Sequence, residues 1–166
     1  LPTFEALPDS LKAPVLLKVG DDVSTDDILP AGSRILPFRS NIPAISEFTY
    51  TRLDPTYPER AKQYQDTGSL IVGGDNYGQG SSREHAALAP RYLGVRAVIA
   101  KSYSRIHWQN LSSFGVLPLS FVTPENFDGI EQGDELSIEG LVETLKAGDR
   151  IVAKNTRNGE RYELTH

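Results

Sequence analysis

Gly73-Gly74-Asp75-Asn76-Tyr77-Gly78-Gln79-Gly80-Ser81-Ser82-Arg83-Glu84-His85-Ala86 decides how this chain folds. The apolar run Leu70-Ile71-Val72 precedes it. Ala86-Ala87-Leu88 then opens a helical pattern ending near Leu93-Gly94, and Val95-Arg96-Ala97-Val98-Ile99-Ala100 is a second apolar run. The order predicts strand, glycine-rich turn, helix and strand, a βαβ unit. Four glycines in the turn permit positive φ and close approach of backbone to a ligand. Ser81 stands three residues before Glu84, the capping-box spacing, which predicts Ser81 as the N-cap. A helix start offers unpaired N–H groups and a partial positive charge, and Arg83 adds a full charge able to grip a carboxylate through two hydrogen bonds. The residues therefore predict a carboxylate or phosphate site. A helix cap alone explains one serine and one glutamate, but not two serines, an arginine and the glycines upstream.

The same stretch resembles, over Asp75 to Ala86, the signature of the swivel domain of the aconitase superfamily, which also occurs as the free small subunit of isopropylmalate isomerase and homoaconitase. No Gly-Lys-Ser/Thr follows, so it is not a Walker loop, and no acidic partner stands at the Rossmann distance. The resemblance runs from about Val15 to Phe121. It implies an α/β fold, a three-layer β/β/α swivelling domain with a mainly parallel sheet and an antiparallel C-terminal part. Residues 1–14 are expected to form a linker or strap from a preceding domain, and 15–166 the swivel domain.

Ser24-Thr25-Asp26-Asp27-Ile28-Leu29-Pro30-Ala31-Gly32 is the second feature. By composition such a loop caps a helix or closes a turn on its own backbone. The resemblance places the family's functional aspartate at Asp26, and a buried carboxylate beside an arginine stays ionised and orients it. Asp27 stands where aconitases usually have histidine. In Arg39-Ser40-Asn41 the resemblance assigns Arg39 to substrate carboxylate binding, and this stretch, with Tyr57 to Lys62, looks more like bacterial-type aconitate hydratase than isopropylmalate isomerase. Ser81 matches the catalytic base, Ser82 and Arg83 match substrate binding, and Asp26 is the supporting acid.

The implied function is that of a hydro-lyase: the swivel part of an aconitate hydratase, interconverting citrate and isocitrate through cis-aconitate. Abstracting a proton from carbon needs a base beside that carbon. A serine serves only where its alkoxide is stabilised, and backbone N–H groups with Arg83 supply such a field. The alternatives are a small subunit of 3-isopropylmalate or homoaconitate isomerase and, from another class, a non-catalytic anion- or RNA-binding module.

Composition narrows the partners. The 166 residues suit one domain with a real core. A net charge of −5 argues against a general nucleic-acid binder. No apolar run is long enough to span a bilayer and no signal-peptide pattern opens the chain, so a cytoplasmic or organelle-matrix setting is expected. With no cysteine the chain forms no disulfide and holds no iron–sulfur cluster through thiolates. The resemblance puts a [4Fe-4S] cluster in a partner region, on the same chain or a large subunit. This chain binds no cofactor in that reading, meets a small tricarboxylate or dicarboxylate substrate, and is inactive alone. Leu1 at the start and the absence of methionine predict a piece of a longer protein.

Elsewhere, Val15–Val19 reads as the first strand, and Ala44–Phe48 and Pro58–Gln65 as short helices. Pro90 should kink or shorten the helix after the signature. Residues 102–115 read as a capped helix with Ile106, Asn110, Leu111 and Phe114 on one face, His107 and Trp108 packing, and Gly115 as the stop. Val116–Phe121 reads as a strand that Pro118 confines to an edge or bulge. Asp134–Glu139, Arg150–Lys154 and Glu160–Leu164 read as antiparallel strands, with Asn158-Gly159 as a hairpin turn.

Overall fold

The computed structural model describes residues 8–166, apart from 31, 33, 34 and 39. Four strands, β1 (Leu11–Lys18), β2 (Ser69–Gly73), β3 (Val95–Ala100) and β4 (Leu117–Phe121), lie side by side and parallel. Three more, β5 (Glu135–Ile138), β6 (Ile151–Asn155) and β7 (Arg161–Thr165), are antiparallel to their neighbours. The order β1-β2-β3-β4-β7-β6-β5 closes on itself as a barrel. The sheet is thus mixed and not mainly parallel. The reason lies in the C-terminal strands, which pair with both outer strands of the parallel set, β5 on β1 and β7 on β4, so that no edge is left open.

Strand periodicity explains this arrangement. In β7 Tyr162 and Leu164 face the barrel interior while Arg161, Glu163 and Thr165 face solvent. A slip of one residue would bury the two charges, so the register is strongly fixed. β2 is buried along its whole length: Leu70 and Val72 point into the barrel, and Ile71 points out beneath the helices. Each such buried aliphatic side chain contributes about 1.5–3 kcal/mol. The helices over that outer face are α1 (Thr25–Ile28), α3 (Tyr57–Lys62), α4 (His85–Tyr92) and α5 (Arg105–Ser113), while α2 (Ile42–Ser46) packs on α4. A sixth, α6 (Leu141–Ala147), links β5 to β6.

Local chemistry sets the ends. Asn41 caps α2 through its side chain, with Pro43 in the first turn, so the helix starts two residues before the expected Ala44. Pro90 lies inside α4, which runs only to Tyr92. β1 begins at Leu11, four residues before the apolar run suggests, because Leu11–Pro14 pair with β5. Pro118 lies opposite Val98 of β3, while β7 joins β4 only from Ser120 onward. β4 is therefore interior to the sheet, yet its proline sits where a second ladder is absent. Beneath the antiparallel strands Asp134, 4% exposed, receives hydrogen bonds from Arg157, the Glu131 N–H and Asn155. Burial pushes its carboxyl up, but these donors and the Arg157 charge outweigh it and hold it at about 2.

Candidate active site

The segments after β1, β2 and β3 meet at the carboxyl ends of the parallel strands, the end at which ligands bind in open α/β sheets. The signature turn is stitched to both neighbours. On the β1 side Gly78 N–H donates to Val23 O at 2.7 Å and Thr25 N–H to Gln79 O at 2.9 Å. On the β3 side Tyr77 N–H donates to Ser102 O and Ser104 N–H returns to Tyr77 O, at 3.0 and 2.9 Å. Three positive-φ residues, Asn76 (56°), Gly78 (86°) and Gly80 (100°), let the backbone coil between these anchors. Tyr77 is buried and shares a hydroxyl–hydroxyl hydrogen bond with Tyr50; burial raises the pKa of both phenols.

Beyond Gly80 the chain bends at Ser81 and passes Ser82 and Arg83 without regular structure before α4 begins at His85. The expected capping box of Ser81 and Glu84 is not formed. Glu84, in helical conformation and without a side-chain cap bond, is the N-cap position. The capping box stands instead at the second feature. Ser24 accepts from Asp27 N–H and Asp27 accepts from Ser24 N–H, both at 3.0 Å, starting α1. Asp27 thus has a helix-capping role, with Arg52 Nε 3.7 Å from its Oδ1. The serine pair is brought to its position by tertiary bonds and not by a helix start: Thr25 Oγ1 donates to Ser81 O at 3.0 Å, and Asn110 Nδ2 to Ser82 Oγ at 3.4 Å.

Arg83 and Asp26 come together, which makes Arg83 the arginine beside the carboxylate that the resemblance singles out. Arg83 Nη1 donates to Asp26 Oδ1 and, at 3.4 Å, to Leu29 O. The arginine side chain is a quarter exposed and the carboxylate about half exposed, so Asp26 lies at the surface and is not buried. Ser81 and Ser82 are exposed on the same face and line a shallow depression of about 150 Å³, open mouth included. Thr25, Gly78 and Gly80 also line it, as do Ser104 and Ile106, His107 and Asn110 of α5. Arg39 lies outside the described residues. Among the described residues no group of His, Asp and Glu is arranged to hold a metal ion, and no helix is long and apolar enough to cross a membrane.

The α5 wall is what sequence reasoning missed. The apolar pattern puts Ile106 on the packed face, whereas Ile106 is 51% exposed and His107 and Leu111 are the buried pair. A helix that follows a parallel strand starts at the carboxyl edge of the sheet. Its first turn therefore stands beside the turn after the neighbouring strand, and that placement was the available signal for Ile106, His107 and Asn110.

A mixed barrel carrying a serine-serine-arginine turn over its parallel strand ends defines an α/β domain that presents an exposed polar face there. Residues 43–124 match the aconitase C-terminal domain model. The chain is 40% identical to the small subunit of 3-isopropylmalate dehydratase from Aquifex aeolicus, over 89% of this chain and 79% of that subunit. It is 36% identical to a mitochondrial aconitate hydratase of Candida albicans, over 95% of this chain but only 23% of that protein. A crystal structure of 3-isopropylmalate dehydratase from Methanocaldococcus jannaschii superposes with a TM-score of 0.76 at 31% identity, covering 93% of this chain and 81% of that one. The chain belongs to the aconitase C-terminal domain family. It spans about a quarter of the length of the aconitate hydratases it matches.

Proposed function

We propose that this chain is the swivel domain of a hydro-lyase of the aconitate hydratase type, acting on citrate and isocitrate. Ser81 is the base at carbon, Ser82 and Arg83 bind substrate carboxylate, Arg39 provides a second clamp, and Asp26 holds Arg83 in place. The three-layer swivelling description fits the barrel taken as two half-sheets, with helices outside the parallel one. The single observation that carries the reading is the Arg83–Asp26 pair beside two exposed serines on one open face. Arg83 is oriented by a carboxylate that uses only part of its donor fork, so further donors remain for an anion.

The field on Ser81 comes from Arg83 and the surrounding backbone, since the start of α4 lies four residues further on. The residues here are hydroxyls, carboxylates and guanidinium groups, which bind and orient an acid and move a proton but offer no thiolate to a cluster. In this reading a [4Fe-4S] cluster on the partner region supplies Lewis-acid help to the departing hydroxyl. The setting is the cytoplasm or, as the names of the eukaryotic relatives suggest, an organelle matrix.

A second reading, the small subunit of a 3-isopropylmalate dehydratase, is favoured by the 79% coverage of the Aquifex subunit. Assembly with the cluster-bearing region and assay on cis-aconitate and isopropylmalate separates the two. Under either, Ser81→Ala lowers kcat by at least about a hundredfold with little change in KM, as expected for a group acting in the transition state. Unchanged turnover by that variant overturns the serine-base assignment.

A further inference from the structure

Gly78 turns with φ of 86°, and a methyl group added there would overlap the His107 ring. The imidazole is 2% exposed and packs at 5.5 Å against Tyr77, which the Tyr50 hydroxyl holds from behind. The turn bearing Ser81, Ser82 and Arg83 therefore rests on this ring at its apex. The same turn is also anchored by backbone bonds, by Thr25 and Asn110, by side-chain bonds to Asp21, Asp22 and Ser102, and by the Arg83–Asp26 pair. Neither His107 nitrogen has a hydrogen-bond partner. A histidine so placed contributes the shape of an uncharged ring.

We propose that His107 is a positioning residue, the seat on which the Gly78 turn is set so that the serine pair and Arg83 share one face. The proposal deepens the hydro-lyase reading and rests on it for its kinetic consequence, though not for its structural one. The seat holds only while the ring is neutral. Burial alone lowers its pKa to about 4. No carboxylate among the described residues offsets that burial. Tyr77 is a neutral phenol, Arg83 lines the same depression as a cation paired with Asp26, and Arg105 is a second cation on the same helix. His85 opens α4, which packs against α5. The folded value lies below the ordinary 6.5, so the seat is secure above that pH and is lost as pH falls toward 4.

Two variants of the assembled enzyme test this. His107→Phe keeps a ring without nitrogens, and His107→Gln keeps polarity without a ring. Amide hydrogen exchange across residues 74–84 reads the turn directly, corrected for the intrinsic dependence on pH. The wild type should lose protection at least tenfold between pH 7 and pH 4.5. The Phe variant should keep its protection over that range and retain kcat within about threefold at pH 7. The Gln variant should lose protection and kcat by tenfold or more at pH 7, with KM changed less than kcat. Full protection in the Gln variant, or acid loosening of the Phe variant equal to wild type, overturns the proposal. Exchange behaving as expected in a protein that turns over neither acid counts against the hydro-lyase reading alone.

Discussion

Arg83 on the turn after β2 donates to the carboxylate of Asp26 on α1, joining two loops 57 residues apart in sequence. The pair lies partly in solvent, where an ion pair contributes about 0–1 kcal/mol to stability. Its consequence is orientation. Asp26→Asn should shift the melting temperature by less than about 4 °C, while raising KM of the assembled enzyme for its acid substrate about tenfold. Calorimetry and steady-state kinetics on the same preparation check both halves. A variant with wild-type KM would remove Asp26 from the site.

Gly78 and Gly20 differ in what surrounds them. Gly78→Ala forces an alanine to positive φ against the His107 ring, whereas a Cβ at Gly20 meets nothing within 4 Å. The first should cost about 2–4 kcal/mol, combining left-handed strain with overpacking. The second should fall within about 0.5 kcal/mol of wild type. Urea unfolding of the two variants measures the difference.

The Tyr50 and Tyr77 hydroxyls share one buried hydrogen bond. Tyr50→Phe leaves the Tyr77 hydroxyl buried with its partner removed and should destabilise by about 1–3 kcal/mol. The double variant Tyr50→Phe, Tyr77→Phe should recover part of that loss, because no donor is then stranded. A double-mutant cycle with a coupling energy near zero would contradict this.

Acid should loosen the antiparallel side through Asp134. Its folded pKa of about 2 lies below the ordinary 3.8, so the native state binds fewer protons than the unfolded chain between those values. The stabilisation is complete above about pH 4 and disappears as pH falls through 2, amounting to about 2 kcal/mol. Asp134→Asn should flatten the pH dependence of stability in that window, as read by denaturant midpoints.

Much of this fold is legible in the sequence wherever one face of a strand meets water. The alternation Tyr162, Leu164 against Arg161, Glu163 and the Asn158-Gly159 turn give the C-terminal strands almost to the residue. Closure of the barrel is not legible, since nothing near Leu11 says that Ile138 is its neighbour. At the site the Arg83–Asp26 pairing is readable only through family resemblance. Two serines stand three residues before an acidic residue, Ser24 and Ser81, and the capping rule cannot rank them. Tertiary bonds to Gln79 and Thr25 decide that only the first starts a helix. The packing of His107 is readable, but its place against the turn is not: hydropathy gives Ile106 the buried position, whereas the His107 ring lies against Gly78.

The closed strand order also sets a schedule for synthesis on the ribosome. β1 and β4 emerge with one side each unpaired, and their covering strands, β5 and β7, are translated only after residue 134. Until then the nascent protein exposes two sticky borders flanking an oily surface, the form in which half-made chains tend to cluster. Stalling translation just before that residue should yield ribosome-bound chains that recruit chaperones, and release of some thirty residues more should let them go.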